Sequence, residues 1–137
     1  MTTIDYTENA AGITPNQLKG FFKGWPNPPT ATTLLRILHS SDHVVVAREG
    51  ESGRVVGFIT AISDGISAAY IPHLEVIESM QGQGIGSELA HRMVATLRSL
   101  YMVDLVCDAR LQPFYEQLGF RPHTAMIIRN YDRQRCD

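Results

Sequence analysis

The sequence has few cysteines, no long hydrophobic run and no excess of basic residues, and each shortage excludes a class of protein. Only Cys107 and Cys136 occur in 137 residues, and they form neither a CxxC pair nor metal-ligand spacing. A disulfide framework is excluded, and a chain of this length can bury one core without it. Two such thiols fit a reducing compartment, so a cytoplasmic location is expected. No apolar stretch approaches the ~20 residues that span a bilayer, and the polar start MTTIDYTENA has no leader-like region. No membrane partner is expected. The net charge of −2 leaves no basic face for nucleic acid, because Asp132 and Asp137 interrupt the arginines of the tail. The five histidines show no HxxxH or HxH pairing, so no metal site is expected either.

What is present reads as a single domain over residues 1–137, with 44% hydrophobic residues and no repeat or low-complexity linker. Residues 3–8 alternate weakly as a first strand. Thr14-Pro15-Asn16-Gln17 has the form of a capped helix start, with Leu18, Phe21 and Phe22 as its apolar face and Gly24 as its end. The three prolines in residues 25–29 forbid regular structure there. Thr30 caps a second predicted helix with Leu34, Leu35 and Leu38 on one face. Strands are expected at residues 44–47, 54–63 and 66–77, with a hairpin signal at Asp64-Gly65 and a strand either bulged or unpaired near Pro72. Ile85, Leu89, Met93, Leu97 and Leu100 then mark an amphipathic helix. Residues 102–107 read as a fully buried strand, 111–118 as a short helix ended by Gly119, and 123–130 as a last strand. The fold class is α/β, a mixed sheet with an antiparallel central meander.

Between a strand and the best helix lies Gln81-Gly82-Gln83-Gly84-Ile85-Gly86. Closely spaced glycines let a backbone approach an anion, and the first turn of a helix offers free N–H groups and a favourable dipole. The loop has no lysine and so is no P-loop; Ser87 stands where the dinucleotide fingerprint GxGxxG needs its last glycine. By itself the loop is either a phosphate site or a structural turn.

Its surroundings are more specific. Gln81-x-x-Gly84-x-Gly86 resembles the acetyl-CoA signature (Q/R)xxGx(G/A) of the GCN5-related N-acetyltransferase (GNAT) superfamily. Leu74-x-Val76 is similar to that family's LxV, and Phe114-Tyr115-x-x-Leu118-Gly119-Phe120 is similar to its FYxxxGF. The resemblance covers roughly residues 42–130, and Glu78 departs from it where many members carry proline. It implies a GNAT fold: a six- to seven-stranded sheet, splayed fourth and fifth strands, and about four helices. Acetyl-CoA is then the co-substrate. Leu74, Val76 and Ile77 would meet its pantetheine arm, while Gln81, Gly82, Gln83, Gly84, Ile85, Gly86 and Ser87 would ring the pyrophosphate. Phe114 and Tyr115 would lie at the thiol.

The activity so implied is transfer of an acetyl group to a primary amine of a small molecule or protein, by direct attack in a ternary complex. Tyr115 matches the family's general acid, or is a boundary tyrosine at the edge of the core. Glu75 and His73 are candidate bases, against a structural carboxylate, a structural imidazole or removal of the proton through water. Asp108 either binds the amine or caps the next helix. Trp25 either walls the acceptor pocket or closes a small core. The last strand would supply a dimer edge of the kind many members use, so a homodimer is a further expectation. Two other readings stay open: a catalytically idle acetyl-CoA sensor, and a nucleotide-binding module.

Overall fold

The computed structural model describes residues 3–137. A five-stranded sheet runs in chain order: β1 (Ile4–Thr7), β2 (His43–Glu49), β3 (Val55–Ser63), β4 (Ala68–Val76) and β5 (Met102–Asp104). The first four strands are antiparallel neighbours, and β5 alone is parallel to its neighbour. Helix α1 (Ala31–Ser40) lies on one face and α2 (Ile85–Thr96) on the other; α3 (Gln112–Glu116) is short. The α/β class and the antiparallel meander agree with the sequence, with five strands and three helices among the described residues where the resemblance implied six to seven strands and about four helices.

Two cores flank the sheet. Leu34 and Leu38 of α1 pack with Leu18, Phe22, Val46 and Phe58. Ile85, Leu89 and Met93 of α2 pack with Ile59, Ala61 and Ile71 on the opposite face. Thr30 caps α1 as expected, its Oγ1 accepting from the Thr33 N–H at 3.1 Å. The Asp64-Gly65 turn is held by the Asp64 carboxylate, which accepts the N–H groups of Ile66, Ser67 and Ala68.

The bulge at Pro72 is real: Thr60 pairs with His73 and Ile62 with Tyr70, so two residues of β4 face one of β3. β5 pairs only with residues 68–70, ending two residues before Pro72, which has no N–H to offer. Beyond that point the two strands separate, and the remainder of β4 has one open edge.

Three expectations are corrected. The helix predicted after Thr14 is a single 3-10 turn, Pro15–Gln17; its capping box forms, but Gly20, Phe22 and Gly24 all have positive φ and the chain cannot continue as a helix. The buried strand at 102–107 is three residues long, with Met102 44% and Val106 42% exposed, because no strand among the described residues pairs with its outer edge. The strand at 123–130 does not form; that segment has no regular structure, is exposed, and pairs with no strand among the described residues.

Gly57 on β3 is what allows α2 to sit so close. A Cβ there would stand 3.0 Å from Leu89 Cδ1 and 3.1 Å from the Glu75 carbonyl oxygen. Gly57→Ala should therefore destabilise the protein by about 1–3 kcal/mol, as overpacking does. Urea unfolding measures this, and an unchanged midpoint would mean that α2 can retreat from the sheet at no cost.

Candidate active site

The open edge of β4 is the centre of the site. Ile77 N–H donates to the Val56 carbonyl at 2.9 Å, so the main-chain groups of Glu75 and His73 also face β3. Those of Leu74 and Val76 alternate with them and face the opening. The Val76 carbonyl is already taken: Gln81 Nε2 donates to it at 3.0 Å. This leaves the Val76 N–H as a main-chain donor at the end of the open edge. On sequence Gln81 was expected only at the cofactor; the five-residue step back to Val76 was the available sign of this second task.

From Gln81 the chain turns through Gly82 (φ 79°) and Gly84 (φ 85°) into α2, whose N-cap is Gly84. Both are left-handed conformations that glycine adopts without strain. No atom lies within 4 Å of where either Cβ would be, so the loop faces open space. The 12-residue α2 thus presents the free N–H groups of its first turn, from Ile85, Gly86 and Ser87, beside this opening. Gly86 lies under Val76, its Cβ position 3.7 Å from Val76 Cγ2, so helix start and strand end touch. Just before the loop, Glu78 pairs with Lys23.

On the α1 face of β4 the structure gathers Glu75, His73, Trp25 and Phe22. Phe22, at φ 58°, donates its N–H to Glu75 Oε1 at 3.1 Å. Its ring stands 4.6 Å from Trp25 and 5.6 Å from His73. Burial pushes the Glu75 carboxyl up from its ordinary value, partly offset by the Phe22 N–H. Burial also holds the His73 imidazole below its ordinary value, leaving it neutral at pH 7. Beside His73, the buried Thr60 hydroxyl has no hydrogen-bond partner among the described residues. The Phe22 contact had no signature in the sequence, since it joins residues 53 apart through a strained loop position.

Tyr115 is half-buried on α3, between Phe114 (5.0 Å) and Phe120 (5.8 Å). Burial raises its pKa, and Cys107 nearby raises it further. Phe114 packs into the same core as Leu74, Val76 and Ile85, which brings α3 to the α2 side of β4. Asp108 is not brought to this site: exposed, it pairs with Arg110 at 3.5 Å, and its side chain makes no cap bond to the turn after it. Among the described residues no group of three or more His, Cys, Asp or Glu could hold a metal ion. No helix among them is long and apolar enough to cross a membrane.

Known proteins resemble this chain in sequence and fold. The model of the acetyltransferase (GNAT) family matches residues 12–120. A solved structure from Deinococcus radiodurans R1, of inferred acetyltransferase activity, is 49% identical; the match covers 98% of this chain and 97% of that one, with a TM-score of 0.93. The histone acetyltransferase TAP1 of Glycine max is 31% identical over 107 residues, 71% of this chain and 46% of that protein. The chloroplastic serotonin N-acetyltransferase 2 of Oryza sativa is 35% identical over 91 residues, 64% of this chain and 46% of its own length. The chain thus spans about half the length of these two relatives. With most of its residues matched, and its sheet opening beside a glycine-capped helix, the chain belongs to the acetyltransferase (GNAT) family.

Proposed function

We propose that this protein transfers the acetyl group of acetyl-CoA to a primary amine by direct attack in a ternary complex. The observation that carries this reading is the open edge of β4 running straight onto the free N-terminus of α2. An extended amide chain such as pantetheine can pair with the Leu74 and Val76 main chain, and a pyrophosphate suits the N–H groups after Gly82. The Val76 N–H then points to where the thioester oxygen would gain charge; a preorganised amide donor there is worth ~3–4 kcal/mol in the transition state.

The acceptor would approach from the other face of the same strand. There Glu75 and His73 can take a proton, and Phe22 and Trp25 give an aromatic wall to the carbon body of an amine. Both groups act on an alkylammonium of pKa ~10.4, which must lose its proton before attack. The lone Thr60 hydroxyl beside His73 favours a route through water as the alternative to Glu75. The relatives' names place acceptors in a protein and in a small molecule, which supports the amine class without choosing between them. Tyr115, from the α3 side, would return a proton to the departing thiolate.

Calorimetry with acetyl-CoA against ATP and NAD tests the donor, and binding of a nucleotide alone would defeat the reading. Release of free thiol across polyamines, amino sugars, arylalkylamines, aminoglycosides and N-terminal peptides tests the acceptor. Acetyl-CoA binding with no turnover on any amine would favour a sensor over an enzyme.

The base has its own signature. If Glu75 is the base it must be ionised, so kcat/KM should rise with pH through its folded pKa, which lies above 4.5. Glu75→Gln should flatten that limb and lower the plateau by ~100-fold or more. Stability moves the opposite way: a raised folded pKa favours the protonated native state. Its contribution is full below 4.5 and is lost as pH rises through the folded value. Wild type should therefore lose stability relative to Glu75→Gln across that window. An unaltered acid limb in the variant would pass the role to His73 or to water.

A further inference from the structure

The face of the sheet that carries Glu75 and His73 is only partly covered by α1. Leu34 and Leu38 reach Val44, Val46 and Phe58, and the apolar cluster they build includes no residue of β4 or β5. The uncovered remainder is largely apolar, with Ile62 55%, Tyr70 37% and Met102 44% exposed.

The bulge brings this surface into line with the site. Ala69 and Ile71 are buried in the α2 core, so Tyr70 between them turns to the α1 face. Tyr70 and His73 are three apart, yet they pair with Ile62 and Thr60, which are two apart. Without the extra residue of the bulge, Tyr70 and His73 would lie on opposite faces. Glu75, His73 and Tyr70 therefore form one row along β4. On β5, Val103 packs on the α2 core, so Asp104, the partner of Tyr70, shares the face of the row and ends it. Asp104 is exposed and is in no ion pair among the described residues.

The register also sets a length. Four steps of β3, from Phe58 to Ile62, separate the partner of Glu75 from the partner of Tyr70, or ~13 Å. With one strand spacing of ~5 Å across to β5, the Glu75 and Asp104 backbones lie ~14 Å apart. An extended staggered chain gains roughly 1.25 Å per bond, so about nine bonds between two nitrogens reach from one carboxylate to the other. The row has a carboxylate at each end, an apolar middle, and no Lys or Arg.

We propose that Asp104 anchors the far end of the acceptor, and that the acceptor is a long, slender diamine or polyamine. Its reacting nitrogen lies at Glu75, its hydrocarbon body crosses Tyr70 and Ile62, and its second ammonium pairs with Asp104. The reacting nitrogen gives up a proton, takes the acetyl group and releases the thiol; the second nitrogen keeps its charge and its proton. This assignment rests on the acetyl-transfer reading and narrows it to one class of amine.

The test compares kcat/KM for octylamine, putrescine and diaminooctane, followed as thiol release from acetyl-CoA. Diaminooctane should exceed octylamine by ~5-fold, the upper range for an ion pair at an exposed carboxylate. Putrescine is too short to reach Asp104 and should fall well below diaminooctane. Added salt should shrink the advantage, because it screens exposed charges. Asp104→Asn should erase the preference through KM, and Asp104→Glu should restore it. A preference that survives Asp104→Asn overturns the proposal, as does a basic peptide used better than every diamine. Acetylation of octylamine and diaminooctane at equal efficiency defeats the subsite and leaves the transfer standing. If no amine is acetylated, calorimetric binding of the two amines to the protein with acetyl-CoA reads the subsite by itself. Tighter binding of diaminooctane, lost in Asp104→Asn, would then keep the subsite and defeat the transfer; equal binding would defeat both.

Discussion

Tyr115→Phe should lower kcat by ~100-fold or more, the usual loss when a positioned acid is removed, while acetyl-CoA affinity hardly changes. The substitution deletes one oxygen and keeps the ring between Phe114 and Phe120, so packing on α3 is preserved. Both influences on the phenol, burial and Cys107, push its pKa upward. It therefore stays protonated throughout the neutral range, as a donor to a departing thiolate must. Steady-state thiol release gives kcat, and calorimetry gives the affinity. If kcat is unchanged, Tyr115 is a boundary aromatic and the thiolate takes its proton from water.

Gly84→Asp should weaken acetyl-CoA binding by ~100-fold with little change in thermal stability. Two like charges ~5 Å apart at an effective dielectric constant of ~20 oppose each other by ~3 kcal/mol, which is that factor in Kd. Helix α2 should survive the change. Asp is a favoured N-cap, tolerates the left-handed conformation and suits the positive end of the helix. The space at Gly84 is open, so the new side chain strikes nothing. Calorimetry and a melting curve separate the effects, with Gly84→Asn as the uncharged control. Wild-type affinity in the aspartate variant would reduce the loop to a turn.

Much of the proposed donor half of the site was legible because it is local. The glycines at 82, 84 and 86 and the start of α2 are contiguous, and their φ values and free amides follow from residue type and position. Leu74 and Val76 were named through the resemblance to the LxV motif, and strand alternation is what sets their main-chain groups on one edge. The proposed acceptor side was less so. Trp25, Phe22, His73 and Glu75 meet only because residues 20–25 fold over β4 through three positive-φ positions, one of them a phenylalanine. Leu18, Phe21 and Phe22 have helical spacing, but their burial comes from packing on Phe58 and the sheet rather than from a helix.

The two failed strands show the same limit. Residues 102–107 and 123–130 have strand composition, yet a strand exists only where another edge pairs with it. Periodicity can nominate such segments but cannot supply the partner. The sequence by itself determined the meander, the two long helices, the bulge at Pro72 and the anion-ready loop, all set by short-range sterics and hydrophobic period. Tertiary structure alone decided that β5 would part from β4 after Tyr70, that Glu75 would hold the Phe22 amide, and that the last apolar segment would be left unpaired. Those outcomes depend on contacts between residues far apart in the chain, where the free energy of pairing and packing outweighs local preference.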